Sequence, residues 1–511
     1  MRVTFTIAVA LVVPACGGVI DSGARLARTS DLGSESDGFV PPPPADAGAV
    51  VTNDLAAPDT GDMVVAAGSG GLAEVTVTVD ASHPGATLSP LFAGLSYEKE
   101  QMPEGLFTPK NTNLIGLFKR LGPGLMRIGA NDVDRVTWSA SAAGGVFGTI
   151  APADVDNLAA FLRAADWKII YGVSMGNSDA ATAASEAAYA VQALGDRLYG
   201  LEIGNEPDLY AGKYRASTYA YGDFKTEWES FAAAIRAKAP TAPLTGPAAA
   251  YNATAYTVPF AAAEASRISL VTEHYYVANG QDAASTVDKL LQPNPALTSL
   301  LAQLAKATTS ANIADGFRLA ETNSYYNGGA SGVSNAYGTS LWTIDFLFAL
   351  AAGGASGANF HGGGDGPGYT PIADDSAGHV VEVRPEYYGI ALFAAAAAGK
   401  LVTATVSGAA NSLSAYAIAE NDGSTAVVLV NKDAAQAIVA DVDFGRAAAH
   451  ASASVVELRG PSLTATDGVT LAGQPIGKDG TWNATLPTVP VNGTIGKVGL
   501  APASAVLVRT R

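Results

Sequence analysis

Metal-ligating and basic side chains are scarce in this sequence of 511 residues. It contains one cysteine and five histidines, and 30 Lys and Arg residues face 47 Asp and Glu residues, a formal net charge of −17. One cysteine cannot form a disulfide framework, and neither an HExxH motif nor a paired Cys/His spacing indicates a metal site. The acidic balance argues against a nucleic-acid partner, because phosphates require clustered cations. We therefore expect no cofactor, no metal and no nucleic acid.

The lone cysteine, Cys16, closes the N-terminal apolar run. TFTIAVALVVPA follows Arg2 and is too short to span a bilayer. The segment VVPAC resembles the lipobox of bacterial lipoprotein signal peptides. That resemblance implies a signal peptide over residues 1–15, cleavage before Cys16, lipidation of its sulfur and attachment to the outer membrane or cell surface of a bacterium. The alternative is an ordinary signal peptide with an incidental cysteine.

The segment that follows has the composition of a tether. Residues 16–73 are rich in Gly, Ala, Ser, Asp and Pro, with PPPP at 41–44, and from residue 17 onward they hold eight acidic and two basic residues. Few large apolar residues mean little burial to offset chain entropy. We expect a disordered tether.

From residue 74 the sequence takes on folded periodicity. VTVTVD (75–80) alternates and predicts a strand, and we expect residues 74–87 to join a later β-domain. Short apolar strands then alternate with helical stretches, which predicts a parallel sheet. About eight such units match a (β/α)8 TIM barrel, an α/β fold, over residues 88–395. A doubly wound open sheet is the alternative, but no GxGxxG follows the first strand.

Beyond residue 396 the helical stretches stop. LVTATVSG, LSAYAIAE, TAVVLVN, AIVADVDF, ASVVEL and SAVLVRT alternate with period two and are separated by turns such as NDG. This pattern predicts a C-terminal antiparallel β-sandwich domain over residues 396–511.

Two of the predicted barrel strands carry a glutamate towards their carboxyl ends. Counting from FAGLSYE (92–98), LEIGNE is the fourth strand and ends at Glu206, and RLAETN is the seventh and carries Glu321. The fourth and seventh strands face each other across the barrel mouth, where chemistry takes place in this fold. Two carboxyls about 5–5.5 Å apart perform retaining glycoside hydrolysis, and Asn205 is placed to bind a sugar hydroxyl.

The motifs around these glutamates resemble a known family. LSYEKE (95–100), LEIGNEPDLY (201–210), TEHYY (272–276) and AETNSYYNGG (320–329), with a trailing β-domain, resemble glycoside hydrolase family 79, which contains β-glucuronidases and heparanase-like enzymes of clan A. The resemblance covers roughly residues 75–511. It implies that Glu206 is the acid/base, that Glu321 is the nucleophile, and that the protein hydrolyses a glucuronide or a glucuronic-acid-containing glycan.

Further residues are candidates for binding the sugar. Tyr276, at the end of the sixth strand, is placed to donate to the nucleophile, with a core tyrosine as the alternative. By the resemblance, the loop after the nucleophile and a later tyrosine bind the substrate carboxylate; these residues are Tyr326, Asn327, Gly328 and Tyr369. Glu98 and Asn131, at the first and second strand ends, are candidates for holding sugar hydroxyls.

Three more side chains have two interpretations each. Arg127 either contacts substrate or supports Glu321 from a buried position. Trp138 is a candidate for stacking on sugar, whereas Trp342, in the helical run SLWTIDFLFAL, is predicted to pack in the core.

We therefore predict a lipid-anchored retaining β-glycosidase, with β-glucuronidase as the leading activity. A clan A enzyme for a neutral sugar, such as a glucosidase or xylosidase, would share Glu206 and Glu321 without needing a carboxylate-binding loop. A non-catalytic surface carbohydrate-binding protein is the alternative from another class.

Overall fold

The computed structural model describes residues 71–408, 410, 412–445 and 452–510. The predicted signal peptide, Cys16 and almost all of the predicted tether lie outside these residues. Within them, no helix is both long and apolar enough to cross a membrane.

The N-terminal part of the described fold is a closed barrel of eight parallel strands, as predicted. Its strands follow in the ring in chain order, so each pairs with the next and the eighth pairs with the first. They are β2 (Ala93–Glu98), β3 (Leu125–Gly129), β6 (Lys168–Val173), β7 (Leu198–Ile203), β8 (Leu244–Ala249), β9 (Ile268–Asn279), β10 (Phe317–Tyr326) and β11 (Ala358–Gly362). Every residue of β3, β8 and β11 is buried, because helices cover the outer face while side chains fill the interior.

Helices connect these strands on the outside of the barrel. They are α1 (Thr112–Leu121), α2 (Pro152–Ala165), α3 (Ala180–Leu194), α4 (Tyr221–Lys238), α5 (Thr257–Glu264), α6 (Val287–Leu290), α7 (Pro295–Ala311), α8 (Tyr337–Ala352) and α9 (Pro385–Ala396). The apolar stripe predicted for α4 is confirmed, since Trp228, Phe231 and Ile235 are all buried. Two short pairs, β4 (Thr137–Trp138) with β5 (Thr149–Ile150) and β12 (Ile372–Asp374) with β13 (Val380–Val383), decorate the loops.

The remaining long strands form a second domain, which is built from one sheet. One sheet joins β1 (Leu72–Asp80) to β14 (Gly399–Gly408), β15 (Leu413–Glu420), β16 (Thr425–Asn431), β17 (Ala437–Asp443), β18 (Ser452–Arg459), β19 (Thr470–Leu471), β20 (Thr488–Asn492), β21 (Ile495–Leu500) and β22 (Ser504–Thr510). Because β18 pairs with both β20 and β22, the sheet folds back on itself around a second apolar core.

The strand β1 joins this sheet between β14 and β17. It pairs antiparallel with β14 but parallel with β17, so the domain is not antiparallel throughout. Because β1 is distant in sequence from β14 and β17, no hairpin fixes its direction, and it can run parallel to one neighbour and antiparallel to the other. Alternate β1 residues are buried, which is the burial that its VTVTVD pattern predicts.

Contacts between α8 and the β-domain join the two layers. The Tyr337 hydroxyl donates to the carbonyls of Leu458 and Ala503, and the Lys432 ammonium lies 2.6 Å from the Asp345 carboxylate. These contacts lie in the outer, helical layer of the barrel.

Candidate active site

The two predicted glutamates meet at the barrel mouth. Glu206 follows β7 in a left-handed conformation (φ 52°), and its backbone N–H donates to the Ala248 carbonyl at 2.9 Å. Glu321 lies within β10 and is 4% exposed. One carboxylate oxygen of each lies within 4.8 Å of the other. That spacing suits direct attack on a bound sugar, since enzymes that place a water between sugar and carboxylate separate their carboxyls by about 6.5–9.5 Å.

A local irregularity in β10 precedes Glu321. Leu319 pairs with Glu273 of β9 and Glu321 pairs with His274, so that Ala320 has no counterpart. Such a bulge changes which side chains of a strand face the interior. It brings Glu321 level with His274, and the alternation of the sequence alone does not predict that register.

Donors hold Glu321 in its ionised form. Arg127 Nη1 donates to Oε2 at 2.6 Å, and the Tyr276 hydroxyl donates to Oε1 at 2.9 Å. Burial by itself would raise the pKa of Glu321, but the positive charges of His361, His274 and Arg127 and the Tyr276 hydrogen bond hold it well below the ordinary value. A carboxylate that stays ionised at every physiological pH is suited to act as a nucleophile.

The Arg127 guanidinium ties three strands together beneath this pair. Besides Glu321, it donates from Nε to Glu202 Oε2 at 2.7 Å and from Nη2 to Asn205 Oδ1 at 2.8 Å. It is fully buried, so it supports Glu321 rather than binding substrate, the second of the two interpretations offered above. Its bond to Oδ1 fixes the Asn205 amide so that Nδ2, the hydrogen-bearing group, is left for a sugar hydroxyl.

A histidine lies between the two glutamates. His274 Nδ1 is 3.0 Å from Glu206 Oε1 and 4.0 Å from Glu321 Oε2, and its Nε2 is buried without a hydrogen-bond partner. The TEHYY motif contains His274, but its position opposite Glu321 depends on the bulge at Ala320, which has no local signal in the sequence.

The same three side chains have the spacing of a metal site. The ligand atoms of Glu206, His274 and Glu321 all lie within 4.8 Å of one another. However, the Arg127 cation already contacts the Glu321 oxygen that a metal ion would need, and His274 is hydrogen-bonded to Glu206. A guanidinium in that position repels a second cation, so the donor set does not fit a resident metal.

The first, second and eighth strand ends form one flank of the site. Glu98 Oε2 accepts from the Asp132 backbone N–H at 2.8 Å, and its Oε1 lies 3.6 Å from His361 Nε2. The backbone N–H that fixes Glu98 belongs to Asp132, the residue after Asn131. Asn131 is part-buried and begins a short 3-10 helix. His361 was not predicted; burial lowers its pKa, but the Glu321 and Glu98 charges outweigh this and raise it.

Of the proposed carboxylate-binding residues, Gly328 and Tyr369 lie together on the flank formed by the seventh and eighth strands, with the Tyr369 ring 5.8 Å from that of His361. The Tyr369 N–H donates to the Gly328 carbonyl at 3.2 Å, and the Tyr369 ring is 5.8 Å from that of Tyr276. Burial, followed by the Glu321 charge, raises the pKa of Tyr369, which keeps its hydroxyl protonated and able to donate.

Two neighbours of this flank lie at the rim rather than in the cluster. Tyr326 is 45% exposed and meets Tyr276 edge to face at 6.5 Å. The exposed Asn327 turns its amide to Asn279 Oδ1 at 2.9 Å. Of the tryptophans, Trp342 is buried and stacks on Phe346, as predicted.

Comparisons with protein families agree on both folded parts. Residues 162–348 match the model described as glycosyl hydrolase family 79, N-terminal domain, and residues 415–507 match the family 79 C-terminal beta domain.

Two characterised sequences are similar over part of their length. A beta-glucuronidase of Aspergillus niger is 27% identical over 295 residues, which is 52% of this chain and 54% of that protein. A beta-glucuronidase of Neurospora crassa is 24% identical over 371 residues, which is 62% of this chain and 65% of that protein. The chain thus matches between about half and two thirds of the length of these relatives.

Solved structures share the whole architecture at low identity. A 4-O-alpha-L-rhamnosyl-beta-D-glucuronidase of Fusarium oxysporum superposes with a TM-score of 0.70 at 19% identity, covering 86% of this chain and all of that one. An alpha-L-arabinofuranosidase of Thermotoga maritima gives 0.63 at 15% identity, covering 85% of this chain and 99% of that one. At these identities the likeness establishes the barrel with its β-domain and nothing finer.

Proposed function

Because this chain belongs to glycosyl hydrolase family 79, we propose that it is a retaining β-glucuronidase. The observation that supports this most directly is the pair of carboxylates, Glu206 and Glu321, whose oxygens approach within 4.8 Å. That separation leaves room for the anomeric carbon of a sugar between them but not for an additional attacking water. The two sequence relatives, both named as beta-glucuronidases, support the proposal.

In the first step of the proposed mechanism, Glu321 acts as the nucleophile. One of its oxygens bonds to the anomeric carbon while the carbon–oxygen bond to the leaving group breaks, and Glu206 gives its proton to that oxygen. Arg127 and Tyr276 keep Glu321 ionised and aimed before attack. Because the hydroxyl of Tyr276 is a donor, it also stabilises the carboxylate when it leaves in the second step.

The second step reverses the roles at Glu206. Now ionised, Glu206 takes a proton from water, whose oxygen attacks the anomeric carbon of the glycosyl ester and frees Glu321. His274 supports this exchange, since its hydrogen bond to Glu206 Oε1 at 3.0 Å orients the carboxyl in both protonation states. The anomeric configuration is inverted twice and hence retained.

Recognition of the uronic acid is assigned to neutral donors. The buried Arg127 directs N–H groups to Glu202, Glu321 and Asn205, and a substrate carboxylate near Glu321 would be repelled unless donors compensate. Backbone N–H groups of the Gly328 loop and the Tyr369 hydroxyl supply such dipoles. The Tyr369–Gly328 hydrogen bond supports their acting as one unit.

A panel of chromogenic β-glycosides that differ only in the sugar tests the proposal. We expect kcat/KM for the glucuronide to exceed that for the glucoside and the xyloside by far, and Glu321→Gln to abolish turnover of each. A glucuronide-to-glucoside ratio near or below one would assign the protein to a neutral sugar, and no turnover of any glycoside by the intact protein would favour a carbohydrate-binding role.

We also propose that Cys16 anchors the protein by lipidation, with the acidic segment after it as a tether. The support is the VVPAC sequence alone, because Cys16 lies outside the described residues. Several acyl chains hold a protein stably at a membrane where one does not. Cys16→Ser should move the protein out of the membrane fraction with kcat/KM unchanged, and a native protein that carries an unmodified Cys16 would contradict the idea.

A further inference from the structure

A glycine-rich segment connects the eighth barrel strand to Tyr369. Five of the seven residues from 362 to 368 are glycine, so the chain itself does little to fix the backbone that carries Tyr369. The segment nevertheless packs closely against the loop that follows Glu321. A β-carbon placed on Gly368 would lie 1.5 Å from the Gly328 carbonyl oxygen. Other groups must therefore hold the segment against that loop.

Arg384 directly precedes α9 and holds the half of the segment nearest Tyr369. Its guanidinium donates to three backbone carbonyls of the segment, those of Asp365 at 2.9 Å, Gly366 at 2.7 Å and Gly368 at 3.2 Å. Its backbone N–H donates to the Pro371 carbonyl at 3.0 Å. Arg384 is only 5% exposed. One buried residue thus anchors the backbone on both sides of Tyr369.

The start of the segment has separate anchors. Asp374 Oδ1 accepts from the Gly364 N–H at 2.9 Å, and its Oδ2 accepts from Gln101 Nε2 at 3.2 Å. The Gly363 N–H donates to the Thr370 hydroxyl oxygen at 2.9 Å. These anchors fix the direction in which the segment leaves β11, and the guanidinium then fixes where it arrives.

Hydrogen bonds continue from Arg384 to both groups assigned to the uronic acid. The peptide between Gly368 and Tyr369 accepts from Arg384 through its carbonyl, and through its N–H it donates to the Gly328 carbonyl at 3.2 Å. The Tyr369 ring in turn lies 5.8 Å from that of Tyr276. Loss of the guanidinium would therefore release Tyr369 and its contact with the Gly328 loop together.

The catalytic carboxylates have other supports. Glu321 accepts from Arg127 and Tyr276, and Glu206 is hydrogen-bonded to His274. These supports lie in β3 and β9 rather than in α9 or the glycine-rich segment. A change at Arg384 should therefore alter which sugar is preferred more than it alters the bond-cleaving step.

The geometry at Arg384 suits a guanidinium and no other side chain. Three carbonyls surround it, and its Nε–H goes to Glu382 Oε2 at 3.0 Å. A guanidinium offers five N–H donors in a fixed plane, whereas a lysine ammonium offers three donors at one point. Lysine would keep the charge at this position but could not hold the same set of carbonyls.

We propose that Arg384 is a positioning residue for recognition of the uronic acid. It holds the glycine-rich segment so that Tyr369 and the Gly328 loop meet the substrate carboxylate, and it does not itself touch the sugar. The inference rests on the proposed β-glucuronidase function and extends it to a residue outside the site. Preorganised donors bind an anion more tightly than donors that must be ordered on binding.

Two aryl β-glycosides with the same phenol, a glucuronide and a glucoside, test this assignment. In Arg384→Met, we expect the ratio of kcat/KM for the glucuronide to that for the glucoside to fall roughly 10- to 100-fold, mainly through a higher KM for the glucuronide. Arg384→Lys should recover only part of this ratio. The matched control is Arg318→Met, which removes another buried arginine that donates to backbone carbonyls and should leave the ratio unchanged.

A second variant reaches the same contact without changing Arg384. Gly368→Ala places a β-carbon against the Gly328 carbonyl oxygen, so it should lower the same ratio even if Arg384→Met does not fold. An unchanged ratio in Gly368→Ala and Arg384→Lys would contradict the proposal. So would equal losses on both sugars, because that pattern indicates a purely structural role.

The unmodified protein separates failure of this proposal from failure of the proposed function. If it prefers the glucuronide and the variants keep that preference, the assignment of Arg384 is wrong and the glucuronidase proposal stands. If it shows no preference for the glucuronide, both proposals fail, since no uronic acid is then recognised.

Discussion

The barrel buries one arginine near each end, and the two are held in opposite ways. Arg127, at the carboxyl ends of the strands, pairs with the carboxylates of Glu202 and Glu321. Arg318, at the beginning of β10, donates instead to neutral groups, namely Asn359 Oδ1 and the backbone carbonyls of Leu91, Phe92, Ser356 and Ala358. Both side chains are fully buried.

The partners explain why the two guanidinium groups differ electrostatically. Burial would lower the pKa of Arg127, but Glu202 and Glu321 outweigh it and raise the value above the ordinary one. Burial lowers the pKa of Arg318 to about 9, with only a weak opposing effect of Tyr199. At the carboxyl ends of the strands, Arg127 forms ion pairs that keep the nucleophile Glu321 ionised. At the opposite end, Arg318 links the starts of β2, β10 and β11 through hydrogen bonds to neutral groups. This division follows the usual separation of activity and stability between the two faces.

The largest effect is expected from removing the anion at the active end. Glu321→Gln deletes the nucleophile while keeping its shape, so we expect kcat/KM to fall by at least about 1,000-fold for every glycoside. The control is Asp196→Asn, a charge removal at an exposed position away from the site. NMR of the first product formed by the unmodified protein should show the retained anomer. The inverted anomer, or substantial activity in Glu321→Gln, would contradict the assignment of the nucleophile.

The two arginines themselves give the most direct test of the comparison. Arg127→Met and Arg318→Met should each lower the free energy of unfolding by about 3–5 kcal/mol at neutral pH, since each leaves buried partners unpaired. In Arg127→Met the orphaned Glu321 can take up a proton, so the loss should shrink at acidic pH. In Arg318→Met the orphaned carbonyls do not titrate and the loss should persist.

Denaturant unfolding between pH 5 and 8, with kcat/KM measured on the folded protein, checks this pair. Arg318→Met should retain the specific activity and Arg127→Met should lose it. Parallel pH dependence of the two variants would mean that the ends of the barrel are not electrostatically different.

The acid should respond to the leaving group. Glu206→Gln is expected to slow hydrolysis of a poor leaving group by roughly 100- to 10,000-fold and of an activated aryl glucuronide by much less, because a good leaving group needs little protonation. A plot of log kcat/KM against the pKa of the leaving phenol should be steeper in the variant. Equal slopes would contradict the role of Glu206 as the acid.

How far the sequence predicts this molecule depends on what each feature needs. The eight strands and the ends that carry Glu206 and Glu321 follow from apolar runs and their polar termini, which are local. The placement of Tyr276 also agrees with its prediction, since its hydroxyl reaches Glu321. His274 lies two residues before Tyr276 and points to the same side of β9, but its position opposite Glu321 depends on the bulge at Ala320, and register of that kind is decided by packing across strands.

Charged residues inside strands are harder to predict from the sequence. Glu202 and His361 carry no mark in the sequence that distinguishes an interior charge from an exposed one, and each is understood only from its partner in space. The parallel pairing of β1 with β17 is of the same kind, because alternation predicts that β1 is a strand but not its neighbours.

A smaller effect is expected from the donors on the uronate side. Tyr369→Phe removes one hydroxyl, and we expect the ratio of kcat/KM for the glucuronide to that for the glucoside to fall by a factor corresponding to about 1–3 kcal/mol. Tyr326→Phe should act less, because Tyr326 is 45% exposed and lies at the rim. Equal losses on both sugars would show that Tyr369 acts through Tyr276 rather than on the substrate.

The smallest effect concerns pH and again distinguishes the two ends. The pKa of His361 is raised by Glu321 and Glu98, which outweigh the lowering by burial. A raised folded-state pKa means that the charged His361 stabilises the fold fully below its unfolded value, about 6.5, and that this contribution is lost as pH rises through the folded value. The unmodified protein should therefore have a higher free energy of unfolding than His361→Gln. This difference should be largest near pH 6 and should narrow towards pH 8.5.

The window for this measurement is set by the other titrating groups. Asp374, whose pKa is raised to about 7 mainly by burial, titrates in both proteins and cancels in the difference. Asp132, whose pKa is raised to about 7 by burial and by Glu98, shares Glu98 with His361 and contributes to the same difference. The pKa of Arg318 is lowered to about 9, and readings above pH 8.5 would mix in the opposite end of the barrel. Glu321, with its pKa far below this range, stays ionised throughout and keeps its attraction for His361 constant. A gap that stays constant from pH 6 to 8.5 would mean that the charge of His361 does not change across this range, and it would contradict the expected titration.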